Sequence, residues 1–130
     1  MSNPFIFINT YKIRPGKAER YRQLCDEVTE LVDAKEPDML YFACGISDDG
    51  RDASTVQIHA DASNMANHME IAGSIIGQAM QECLDPSQMA IDIYGTAPAA
   101  LLDQLRAVAG TGVTISVHEP GPAVDRLTSR

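Results

Sequence analysis

No apolar run in this chain approaches the roughly 18 residues of a membrane span, so a transmembrane helix is not expected. Bases are scarce: 10 Lys and Arg stand against 18 Asp and Glu, for a formal charge of −8. Such a surface repels phosphate backbones and anionic membranes on average. No basic stripe marks a nucleic-acid interface. Cys25, Cys44 and Cys83 are odd in number, widely spaced and form no CxxC pair. That usage fits a reduced, cytoplasmic chain with small buried thiols. No Gly-rich phosphate loop is present, because Gly73 and Gly77 punctuate a helical pattern and follow no strand. No Gly-x-Ser-x-Gly motif appears. The start, Met1-Ser2-Asn3-Pro4, lacks a charged region followed by an apolar run, so no export signal is expected.

What remains is a globular balance: 45% apolar and 22% charged residues in 130, enough for one domain with little spare core. "FIFINTYKIR" (5–14) is β-branched and aromatic and predicts a strand. Pro15-Gly16 stops it. From Lys17 to Lys35 the period changes, with Tyr21, Leu24, Cys25, Val28, Leu31 and Val32 on one helical stripe. Pro37 ends that helix. "MLYFACGI" (39–46) and "TVQIHA" (55–60) predict two strands of a hairpin, with Asp49-Gly50 in the turn between them. A second helix follows, capped by Asp61 or Ser63, with Met65, His68, Met69 and Ala72 on one face. Gly73 is expected to break it before "SIIGQAMQECL" (74–84) resumes. "QMAIDIY" (88–94) alternates as a fourth strand.

The order β-α-β-β-α-β predicts an α+β, ferredoxin-like antiparallel sheet with helices on one face, over residues 1–95. Residues 96–130 extend the same unit. "APAALLDQLRAV" (97–108) predicts a helix and "VTISV" (113–117) a strand, at the sheet edge or crossing to a partner. The final residues, 119–130, are expected to be loose.

The strands are apolar on both faces. Phe5 and Phe7 alternate with Ile6 and Ile8, and Met39 and Tyr41 with Leu40 and Phe42. Helices cover only one face of such a sheet. A second copy of the sheet is the simplest cover for the other, which predicts a two-fold homodimer. The alternative cover is the C-terminal segment folding back.

Three stretches carry a resemblance: "IRPGKAERY", "KEPDMLYFACG" and "VQIHADASNMANH". Together they resemble the antibiotic biosynthesis monooxygenase-like family of dimeric α+β barrels, over roughly residues 4–95. The resemblance implies a pocket between the sheet and the helices of each subunit. It also implies, for one branch, cofactor-free oxygenation of aromatic polyketides and quinols, and for another, haem degradation. The chain departs from the family pattern where a strand commonly carries Glu-x-Trp. Gln57 and His59 stand at those positions, and tryptophan is absent from the chain. The haem-ligand position falls on Gln78, a poor iron ligand, so no haem is expected.

By that resemblance His68 looks into the pocket, and its helical face agrees. His68 is the candidate catalytic base, since a near-neutral imidazole can take a phenolic proton. No carboxylate orienter for it stands out in the sequence. The bland reading is a helix histidine satisfied by a carbonyl. Asn9, Tyr11, Tyr41 and Met65 are the candidate substrate-binding residues, against the reading that the tyrosines are packed rings with wet hydroxyls. His59 is placed with Thr55 and Gln57 on the face away from the helices, so the two histidines are expected on opposite sides of the sheet. Their spacing lacks a metal-ligand pattern, and no metal or other cofactor is expected. The leading expectation is a cofactor-independent oxygenase for a small aromatic or quinol compound. The alternatives are a non-catalytic dimeric binding protein or a purely structural dimer.

Overall fold

The computed structural model of the chain describes residues 3–110 and 112–127. In chain order the elements are β1 (Phe5–Ile13), α1 (Ala18–Lys35), β2 (Met39–Ile46), β3 (Asp52–His59), α2 (Ser63–Glu82), β4 (Leu84–Tyr94), α3 (Ala99–Ala109) and β5 (Thr114–His118). The strands form one sheet in the order β2-β3-β1-β4-β5. All neighbours are antiparallel except β4 and β5, which run parallel across α3. The α+β, ferredoxin-like β-α-β-β-α-β order of the sequence reading is the observed one, with the extra helix and strand added at an edge.

Period-2 alternation sets the two faces of β1. Phe5, Phe7, Asn9, Tyr11 and Ile13 are buried toward the helices. Register then carries that side across the sheet: Phe7 pairs with Gln57, which pairs with Phe42, while Asn9 pairs with Thr55. α1 answers with Tyr21, Leu24, Val28 and Val32, and α2 with Met65, His68, Ala72 and Ala79. Burying each large apolar side chain of this set is worth about 1.5–3 kcal/mol gross.

α2 is one continuous helix, not two. Gly73 costs roughly 1 kcal/mol against alanine in a helix interior, and burial of Ala72 and Ala79 on either side outweighs that. β4 begins at Leu84, earlier than its alternating pattern, and absorbs Asp85-Pro86 at an irregularity opposite Thr10–Lys12. Proline is tolerated where the ladder is interrupted. The hairpin turn is as expected, with Gly50 at a φ of 72°.

Among the described residues, no helix packs on the opposite face of the sheet. Ile6, Ile8, Val56 and Ile58 are half-buried there, and Tyr41 is 54% exposed. β5 extends the sheet edge beside β4, and residues 119–124 that follow are exposed, with no helix or strand. Residues 128–130 of the expected loose tail lie outside the described residues. His118 ends β5 instead of lying in the tail. It stacks on Tyr94 with ring centroids 4.3 Å apart and sits 3.4 Å from Asp92.

Candidate functional site

Between the inner face of the sheet and all three helices lies a cavity of about 100 Å³. A water needs only some 10–15 Å³ by the same kind of measure, so the space suits several waters or one small ring. Its walls are mostly apolar, including Phe7, Leu24, Phe42, Ile76 and Ile91. The extension contributes Leu105, Val108 and Ala109.

Three of the expected binding residues line this cavity: Asn9, Tyr11 and Met65. Tyr41 does not. It follows an irregularity in β2 that sets it opposite Ile58, on the uncovered face of the sheet. Asn9 accepts from the Thr55 backbone N–H at 3.2 Å and from the Thr55 hydroxyl, and its amide donates to the Tyr11 hydroxyl. The Tyr11 oxygen is thereby an acceptor, which leaves its own proton to donate elsewhere. Burial pushes the Tyr11 phenol well up from its ordinary value, with Cys44 adding to the shift, so it stays protonated.

His68 lines the cavity from α2, and it does have a carboxylate partner. Its Nδ1 lies 2.8 Å from Oε2 and 3.1 Å from Oε1 of Glu36, with both side chains buried. Glu36 leaves α1 as its C-terminal cap and is held by a backbone bond to Val32 of 2.9 Å. A carboxylate oxygen accepts, so Nδ1–H donates to Glu36 and Nε2 is the ring nitrogen left for another partner. Among the described residues no protein atom bonds Nε2, and no buried side-chain nitrogen or oxygen there lacks a partner. Nε2 is therefore open to the cavity that His68 lines.

The second histidine corrects the expectation from the sequence. His59 is fully buried on the helix side of β3, and its ring centroid is 6.0 Å from that of His68. Val56 and Ile58 take the other face. Burial pushes His59 down to about 4, the neighbouring His68 pushes the same way, and Asp61 opposes. A neutral ring has one donor and one acceptor. The Asn64 amide donates to Nδ1 at 2.9 Å, and Nε2–H donates to Gln57 Oε1 at 2.9 Å.

Two thiols expected to be buried reach the cavity. Cys25 and Cys44 are half-buried lining residues. A hydrogen bond from the Cys44 thiol lowers Cys25, and the same contact raises Cys44. Gln78, the position that the resemblance matches to an iron ligand, is exposed on α2 and is not among the cavity-lining residues. Among the described residues, no group of three or more His, Cys, Asp or Glu is arranged to hold a metal.

No family model matches the chain, and no curated protein is similar in sequence. Solved structures are similar in shape. MupZ from Pseudomonas fluorescens matches with a TM-score of 0.70 at 19% identity, covering 98% of each chain. A "putative antibiotic biosynthesis monooxygenase" from Nitrosomonas europaea matches with a TM-score of 0.63 at 16% identity, covering 74% of this chain and 92% of that one. A protein of the same description from Caulobacter crescentus gives 0.58 at 17%, covering 75% and 92%. The fold is that of the antibiotic biosynthesis monooxygenase-like proteins. The last two matches leave about a quarter of this chain uncovered, whereas the MupZ match runs almost end to end. No helix among the described residues is long and apolar enough to cross a membrane.

Proposed function

We propose that this chain is a cofactor-independent oxygenase for a small electron-rich aromatic or quinol compound, with His68 as its general base. The observation that carries the reading is the buried Glu36–His68 contact at 2.8 Å beside an apolar cavity. A carboxylate on Nδ1 fixes the tautomer, holds the ring and stabilises the imidazolium that forms when Nε2 takes a proton. The apolar walls favour an aromatic body over a charged one.

The chemistry follows from the proton. Removing an acidic O–H or benzylic C–H proton leaves an anion rich enough in electrons to reduce dioxygen. Oxygen bonds to carbon as a peroxide, which collapses to a carbonyl with loss of water. A CH₂ group and O₂ thus become C=O and H₂O, with no outside reductant. Met65 shapes the wall and Tyr11, oriented by Asn9, supplies a donor.

The uncovered sheet face supports assembly as a homodimer through Ile6, Ile8, Val56 and Ile58. Three unpaired cysteines fit a reducing, cytoplasmic setting. The reading is tested by oxygen uptake with a panel of quinols and phenolic polyketides, in wild type and His68→Ala. Uptake lost in the variant with the fold intact supports it. Binding that raises the melting temperature without turnover, equally in both proteins, replaces it with a non-catalytic binding protein.

A further inference from the structure

Gln57 and His59, two residues apart on the buried face of β3, are joined in the structure. Gln57 sits in the sheet between Phe7 and Phe42. The His68 ring leans over Phe42 at 5.6 Å between centroids and over His59 at 6.0 Å. Gln57 therefore neighbours, in the sheet, both residues whose rings meet that of the proposed base, and it lines the same cavity. Its amide has two ends with different chemistry. Oε1 is taken by His59 Nε2–H at 2.9 Å, and His59 is itself held by Asn64 at 2.9 Å. Nε2 of Gln57 is bonded by no protein atom among the described residues, and no buried polar atom there is orphaned. Gln57 lines the cavity, so its N–H donors are the end presented to it.

We infer that Gln57 is the group that holds the substrate oxygen as it becomes an oxyanion, and that His59 is a positioning residue that keeps the Gln57 donors turned into the cavity. This rests on the reading above that His68 takes the substrate's proton. The ligand class is the conjugate base of a weakly acidic phenol or enol. His59 suits the task because a neutral, two-bonded ring has only one way to point its N–H. A free glutamine amide rotates; this one is fixed before substrate arrives, which is what makes a donor effective on developing charge. The Asn64–His59–Gln57 chain thus does for the acceptor oxygen what Glu36 does for the base.

The probe is 4-nitrophenol, whose phenolate absorbs where the phenol does not. Wild type is expected to bind the phenolate in preference, so the bound probe ionises at lower pH than the free one. Gln57→Leu raises the bound midpoint by about one pH unit, a tenfold loss of phenolate preference. Gln57→Glu raises it further, because a carboxylate repels the anion. His59→Phe keeps the ring volume and removes the donor; its midpoint moves in the same direction as that of Gln57→Leu. A His59 that merely packs would lower the melting temperature in His59→Phe and leave the midpoint where it was. Repeating the Gln57 series in His68→Ala separates this inference from the identity of the base. Dependence on Gln57 there sustains the donor role even if oxygen uptake proves indifferent to His68. A midpoint unchanged in Gln57→Leu overturns the inference. So does a wild type that gives no bound spectrum, because a site built for a phenolate must take so small a one.

Discussion

Nδ1 of His68 lies 2.8 Å from Oε2 of Glu36, across 32 residues of chain and with both side chains buried. One residue comes from the second turn of α2 and the other from the turn that leaves α1. Glu36→Gln keeps an acceptor for the ring N–H and removes the charge. Turnover on an accepted substrate is expected to fall about 10²–10⁴-fold with little change in KM. His68→Gln is expected to lose it altogether. Initial-rate oxygen uptake measures both, and full activity in either variant would remove the dyad from the mechanism.

His59 makes stability depend on acid. Its folded value is depressed from 6.5 to about 4, so between those pH values the unfolded chain binds more protons than the folded one. Stability is then expected to fall as pH drops from 6.5 toward 4, by about 3 kcal/mol from this residue, and to be untouched by it above 6.5. Urea unfolding across that range checks the slope. In His59→Phe the decline over that window should flatten.

A charge placed on the uncovered face probes assembly. Ile8→Arg puts a cation among Ile6, Val56 and Ile58. The wild type is expected to scatter light as twice the 14.1 kDa chain and the variant as one copy. Ile8 points away from the cavity, so the 4-nitrophenol spectrum should survive in the variant. A wild type that is monomeric at micromolar concentration would refute the dimer.

Gly73 offers a stabilising change. A methyl group built there meets nothing within 4 Å, and the position is helical. Gly73→Ala is expected to gain about 0.5–1 kcal/mol, seen as a melting temperature higher by roughly 3 °C. A loss would mean that something seats against that bare stretch of α2.

The order of elements was readable because each segment has a clear period and clear stops: Pro15-Gly16, Pro37, Asp49-Gly50. The break at Gly73 was not real, because a propensity cost of about 1 kcal/mol is small against packing. The phase of β3 could not be read locally. Val56 and Ile58 look like core, yet the face holding Gln57 and His59 is the buried one. Alternation fixes a strand's phase only when its polar face is the exposed one, and here the polar Gln57 and His59 are the buried side chains. The inner face was marked instead by its neighbours, since Phe7 and Asn9 of β1 set the register. His68 was legible from its place beside Met65 and Met69. Glu36 was not, because its partner lies far along the chain and only tertiary packing joins them. Tyr41 was misplaced by one irregularity in β2, which shifts a side chain to the other face.

Leu105, Val108 and Ala109 close the cavity from α3, downstream of every residue that holds His68 or Gln57. Part of the cavity wall is therefore supplied by a stretch of chain that holds neither His68 nor Gln57. Leu105→Ala would hollow out the wall at a cost of about 2–5 kcal/mol and leave each proton where it was. A change at Leu105 or Val108 therefore alters the room in the cavity without touching the Glu36–His68 or Gln57–His59 contacts.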